Sequence, residues 1–215
     1  MESDFDRPWS SRRGVETLDT NTGLVLARTS VEPLAAVLAK RAVHWNRDVL
    51  GSKVRIVRNF GWVFRLAGHA WSIFRYDDYA AIANAVDLSV ELEVPVIAYD
   101  CSDTTGSVGY VFAERGEIRE SLTLVEDEPE YFSADGSRAE PDNVFEHVER
   151  FFREQEAYEP GVYSEYFFAD GRSVPRLVVG AEVRVGNPGF VMSAGGQEFR
   201  TVPEFERVDY LAFGD

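Results

Sequence analysis

The chain's reactive side chains gather in one short stretch. Asp100-Cys101-Ser102-Asp103-Thr104-Thr105-Gly106-Ser107 supplies a thiol, two carboxylates and four hydroxyls beside a glycine. Cys101 is the only cysteine. To act as a nucleophile it needs a neighbouring base that stabilises the thiolate. His69, in Gly68-His69-Ala70-Trp71, is the candidate base, with His44 as the other option and Asp103 as the candidate carboxylate. Spacing does not decide this pairing, because Cys–His pairs meet in space and not along the chain. Asp103, Thr104 and Thr105 could also receive a small cation or polar ligand, but they lack the regular oxygen spacing of a calcium loop. The plainer reading is a hairpin loop whose Asp, Ser and Thr side chains bond to nearby amides while Gly106 supplies a positive φ.

Other chemistries find less support. His44, His69 and His147 show no i, i+4 pairing, and a lone cysteine gives neither a zinc pattern nor an internal disulfide, so no metal site is expected. Gly186, Gly189, Gly195 and Gly196 spell no phosphate loop. No G-x-G-x-x-G and no G-x-S-x-G occurs, and no cofactor is expected.

Charge is the more informative signal. The 215 residues include 22 basic and 37 acidic side chains, a net charge of −15. Nucleic acid and anionic membrane are disfavoured as partners, since both are held by a surplus of Lys and Arg. The stretch 114–159 carries fifteen acidic and five basic residues, two-thirds of the whole net charge. Glu126, Asp127, Glu128 and Glu130, followed on a helix by Glu146 and Glu149, are the candidate docking residues for a basic protein. The bland counterpart is a solubilising loop and a helix face balanced by Arg150 and Arg153. Lys53, Arg55, Arg58, Arg65 and Arg75 would form an opposing basic patch if their strands paired.

These residues must be placed by a fold that reads as α+β. The expectation is a mainly antiparallel sheet with about three helices packed on one side of it. After a polar lead-in over 1–22, a strand is predicted at 23–29 and a helix at 31–45, with Ser30 as its cap. Strands follow at 53–60, 62–66 and 70–75, the last two as a hairpin. A second helix starts at Asp77 or Asp78, with Tyr79, Ile82 and Val86 inward and a break near 87–89. Pro95 ends it. Residues 94–125 then give three strands in succession, turning at the 100–107 loop and at Arg115-Gly116. The acidic stretch 126–142 reads as a loop, and 143–157 as a helix with Phe145, Val148, Phe151 and Phe152 on its apolar stripe. Strands are predicted again at 162–168, 175–179, 182–185, 190–192 and 205–213. One domain over 23–215 is the preferred organisation. The alternative is two lobes, 23–125 and 143–213, joined by the acidic loop.

No signal-peptide pattern opens the sequence and no window reaches the ~18 apolar residues of a membrane span, so a cytoplasmic location is expected. The functional expectation is a non-catalytic interaction protein with an acidic docking surface, of which a toxin-neutralising immunity or inhibitor protein is one example. The alternative is a small metal-independent enzyme or ligand-binding protein using the 100–107 loop with His69.

Overall fold

The structure is a computed structural model and describes residues 22–49, 52–55, 59–66, 69–76, 84–102, 107–125, 128–136, 143–157, 182–184, 189–190, 193–194, 197–198, 202–203 and 205–214. In chain order the elements are β1 (Thr22–Ala27), α1 (Val31–Ala39), β2 (His44–Asn46), β3 (Lys53–Arg55), β4 (Phe60–Leu66), β5 (Ser72–Tyr76), α2 (Ala85–Leu92), β6 (Val96–Ser102), β7 (Ser107–Glu114), β8 (Glu117–Val125) and β9 (Glu128–Ser133). They continue with α3 (Val144–Glu154), β10 (Glu182–Arg184), β11 (Gly189–Phe190), β12 (Ser193–Ala194), β13 (Gln197–Glu198), β14 (Val202–Pro203) and β15 (Phe205–Ala212). Nine strands form one antiparallel sheet in the order β2-β15-β4-β5-β1-β6-β7-β8-β9. The sheet does not close into a barrel. Strand predominates over helix, so the α+β description holds only loosely. Three two-stranded ribbons, β3 with β10, β11 with β14 and β12 with β13, complete the described pairings.

The meander β6-β7-β8 forms from the apolar runs of β6 and β7, the alternating burial of β8 and turn residues that suit a tight reversal. Arg115 (φ 52°) and Gly116 (φ 82°) both take the positive φ that a two-residue hairpin turn demands. The Gly116 amide donates to Ser89 Oγ at 2.9 Å, which fastens the turn to α2. Ser89 Oγ also donates to the Val86 carbonyl, so a serine sits inside a continuous helix. The break expected at 87–89 is therefore absent. Asn84 caps this helix, its Oδ1 accepting from the Val86 amide at 2.8 Å.

Both faces of the sheet are apolar, and that corrects the expectation of helices on one side. Val25, Ala27, Val63, Phe74, Val96, Ala113 and Leu211 face one way and pack with Val31, Leu34, Leu38, Ala85 and Leu88 of α1 and α2. Leu24, Leu26, Trp62, Phe64, Ile97, Tyr99, Tyr110 and Leu122 face the other way and pack with Val144, Val148, Phe151 and Phe152 of α3. Strands buried on both faces read as near-continuous apolar runs, as Leu24-Val25-Leu26-Ala27 does. Each fully buried Leu or Phe here contributes roughly 1.5–3 kcal/mol of transfer free energy. Trp71 Nε1–H donates to the Gln155 carbonyl at 3.2 Å and pins the end of α3 to the sheet.

Two further expectations change. Helix α1 stops at Ala39 rather than near 45, because Val43 donates to the Ala212 carbonyl at 2.7 Å and His44–Asn46 pair with β15. Long-range strand pairing wins over the local helical pattern. The acidic stretch is not wholly a loop: Glu128–Ser133 is the sheet's edge strand, in register with β8 from Val125↔Glu128 to Glu120↔Ser133. Strand β15 lies between β2 and β4, so the latter part of the chain contributes to the same sheet as residues 22–125. The lead-in before residue 22, Asp77 to Ile82 and the strands expected at 162–168 and 175–179 lie outside the described residues.

Candidate functional site

Strand β6 runs through Cys101 and Ser102, which pair with Val108 and Ser107. Cys101 thus belongs to a strand and not to the loop expected for it. Asp103, Thr104, Thr105 and Gly106 lie outside the described residues. Thr22 of β1 opposes Cys101, whereas Ala27 opposes Ser72, three positions beyond His69. Five residues at about 3.4 Å each separate those two ends of β1, roughly 17 Å. His69 and Cys101 are therefore not brought together by the strand pairing. Burial pushes the His69 imidazole down to about 3, so it is neutral and a weak base near neutral pH.

A different set of titratable groups does converge, beneath α3. Tyr110 of β7, Glu120 of β8 and His147 of α3 are all buried. The Tyr110 hydroxyl donates to Glu120 Oε1 at 2.5 Å. His147 Nε2 lies 2.9 Å from that hydroxyl and 3.2 Å from Glu120 Oε1. Arg150 NH2 approaches His147 Nδ1 at 3.0 Å. A guanidinium can only donate, so Nδ1 must be the acceptor and the imidazole proton sits on Nε2, aimed at the carboxylate and the tyrosine oxygen. The Tyr110 ring stacks on Phe151 with centroids 4.0 Å apart, and Tyr131 of β9 meets the His147 ring edge-on at 5.3 Å. Hydrogen bonds within the group clip α3 to β7 and β8, and the Tyr131 ring of β9 packs against it. A general base must reach its substrate, and these three side chains are closed off from solvent.

A second network holds the far edge. Asp209 of β15 is wholly buried. Its carboxylate accepts from Arg207 Nε at 2.7 Å and NH2 at 3.0 Å, from Trp45 Nε1 at 2.8 Å and from the Asp48 amide at 2.9 Å. Arg207 also donates to Glu32 at the start of α1. The Asp209 and Glu32 carboxylates raise the guanidinium above its already high ordinary value. Arg47 pairs with Glu32 and lies over the Trp45 ring, 3.8 Å from its centroid. This network joins α1, β2 and β15 and leaves no acceptor of Asp209 for a ligand.

The acidic candidates divide between two surfaces. In β9, Tyr131 packs on the α3-side core. Strand alternation therefore turns Glu128, Glu130 and Phe132 to the opposite side, and all three are exposed. Glu146 is exposed on α3, across the sheet from them. Glu149 falls within α3, and Glu126 and Asp127 lie outside the described residues. The expected basic patch is split as well. Lys53 and Arg55 belong to the separate β3–β10 ribbon, and Arg65 pairs with Glu206 of β15. Arg58 is outside the described residues.

Residue phase carried the signals that the sequence reading missed. Glu120 shares the inward phase of Leu122 and Leu124, and His147 stands in the stripe Val144, Val148, Phe151. Among the described residues, no three His, Cys, Asp or Glu side chains are placed to hold a metal ion, and no helix is long and apolar enough to cross a membrane. Comparison with known proteins finds no match: no family model fits the chain, and no curated protein or solved structure matches it at a significant level.

Proposed function

We propose that this chain is a non-catalytic, cytoplasmic interaction protein whose acidic surface docks a basic protein, in the manner of an immunity or inhibitor protein. One observation carries the reading. Many carboxylates elsewhere have internal cations: Glu32 has Arg47 and Arg207, Glu91 has Lys40, Glu114 and Glu117 have Arg119, and Glu154 has Arg150, while the exposed Asp48, Asp87 and Glu93 have none among the described residues. Glu128, Glu130 and Glu146 have no such partner among the described residues. Among the described residues their charge is uncompensated, which steers an oppositely charged protein and disfavours nucleic acid. The buried acids Glu120 and Asp209 are spent on the fold, so the outer ones are the acids left for binding.

Charge reversal tests this. Glu128→Lys with Glu130→Lys abolishes capture of the partner, and raising salt weakens the native complex in the same direction. Exposed substitutions of this kind change stability by about 0.5 kcal/mol or less, so lost binding with a preserved fold supports the reading. Binding that is indifferent to both charge reversal and salt overturns it.

A further inference from the structure

The face of the sheet turned away from α3 is covered unevenly. Helix α1 packs on β15, β4 and β5, and α2 packs on β6 and β7. Beyond α2, strands β8 and β9 present Ser121, Thr123 and Val125 beside Phe132, Glu130 and Glu128 in register. Phe132 is 49% exposed, Val125 45% and Ile118, opposite Ala113 on the same face, 40%. Val90 of α2, 56% exposed, stands over the adjoining turn, where its Cγ2 would lie 2.8 Å from a Cβ on Gly116. Four of the five large apolar side chains exposed among the described residues thus lie on this side of the sheet near its β8–β9 edge, spread along β8 from Ile118 by the turn, past Phe132 opposite Ser121, to Val125 at its far end. Single exposed hydrophobics are ordinary, but here Phe132, Val125 and Ile118 alternate with the carboxylates of Glu130 and Glu128 along one uncovered face, a mixed apolar and acidic surface suited to docking.

We infer that this β8–β9 face is the docking site, and that its occupant is a protein of net positive charge bringing apolar side chains ringed by Lys or Arg. The inference rests on the acidic-surface reading above and locates it. Charge decides the occupant. A second copy of a chain with net charge −15 would set Glu128 and Glu130 against like charges, and an anionic lipid surface or nucleic acid would be repelled in the same way. A basic rim meets those carboxylates while apolar anchors cover Phe132 and Ile118. The partner seats on the face and not along the strand edge. Pro129 lacks a backbone donor, and a proline in an edge strand turns that gap outward, which blunts pairing with an added strand.

The test places a p-benzoylphenylalanine photo-crosslinker at position 132, at position 118 and, on the other face, at position 146 of the full chain in its native cells. A captured protein is then purified and its affinity measured by calorimetry. The expected result is adducts from positions 132 and 118 to a net-positive protein. Its Kd rises roughly tenfold or more with Phe132→Ser, rises with Val125→Ser, and is unmoved by Glu146→Gln. Circular dichroism and the urea midpoint confirm that both serine variants fold. Adducts only from position 146 to a salt-sensitive basic protein overturn the face while the acidic-surface reading stands. An adduct to a second copy of the chain, or no adduct from 132 and 118, also overturns this inference. A captured protein that is acidic, or bound without salt dependence, overturns both.

Discussion

Replacing Asp209 with alanine strips four donors of one acceptor. Arg207 Nε and NH2, Trp45 Nε1 and the Asp48 amide all reach that carboxylate within 3.0 Å, and it is wholly buried. Removing one member of a fully buried ion pair costs about 3–5 kcal/mol, because the remaining charge keeps its desolvation cost without its partner. The Arg207 side chain is 24% exposed, so water relieves part of that cost here. Arg207 retains Glu32, which places the loss toward the lower end of that range. An orphaned backbone donor such as the Asp48 amide adds roughly 1–3 kcal/mol, and the terms do not add fully. About 4 kcal/mol is expected, a large part of the 5–15 kcal/mol typical of a folded domain. Urea unfolding followed by tryptophan fluorescence, with Trp45 as the local reporter, gives the value by linear extrapolation. Asp209→Ala combined with Arg207→Met should lose less than the two single changes together, since the second removes the stranded cation. A loss below about 1 kcal/mol for Asp209→Ala, within the usual spread for surface changes, would refute the claim that this carboxylate fastens β2 and α1 to β15.

Glu120→Leu leaves the Tyr110 hydroxyl and His147 Nε2–H without their buried acceptor and should cost about 2–3 kcal/mol. Glu120→Leu with His147→Leu and Tyr110→Phe should cost less than that single change, as compared by thermal denaturation. Gly61→Ala should destabilise by about 1–3 kcal/mol and exceed Gly23→Ala. At Gly61 a Cβ would stand 2.8 Å from Cζ of the buried Phe74 ring and 2.9 Å from the Arg75 carbonyl, whereas at Gly23 it meets the half-buried Tyr76 ring, which can swing away. Urea midpoints of the two variants give the order. His69 is held down to about 3 by burial against an ordinary 6.5, so the unfolded chain takes up its proton first as pH falls. The contribution of the neutral ring is complete above pH 6.5 and is lost progressively toward pH 3. His69→Gln should therefore flatten the fall in urea midpoint between pH 7 and pH 5, and an unchanged slope would count against the burial.

The parts of the fold legible in the sequence are those decided locally. The apolar runs of β6 and β7, the alternation of β8, the Arg115-Gly116 turn and the stripe of α3 are all short-range patterns; β7, β8 and α3 formed close to their expected limits, while β6 runs on through Cys101 and Ser102. Strands β2 and β9 were hidden for opposite reasons. His44–Asn46 continues a helical pattern and becomes a strand only because β15 pairs with it. Glu128–Ser133 looks like a polar loop until β8 supplies a register that buries Tyr131 and exposes its two glutamates. The buried acids were masked by their own residue type. Charge argued for solvent at Glu120 and Asp209, while their phase with neighbouring apolar residues placed them inside, where partners remote in sequence satisfy them. The division of the acidic residues between two faces depends on strand phase at the edge, which an unpaired sequence does not fix.

The position of β15 bears on how the protein is made. It fills a slot inside the sheet, with β2 on one side and β4 on the other. Its partners were synthesised long before it: Arg65 and Glu206 pair 141 residues apart, and Asp48 and Asp209 pair 161 apart. At typical elongation rates of about 5–20 residues per second, β4 waits roughly 7–30 s with one edge open. Throughout that interval Trp62 and Phe64 sit beside an empty lane that another nascent strand could occupy. Because β2 pairs with β15 alone, it cannot take its place in the sheet before β15 does.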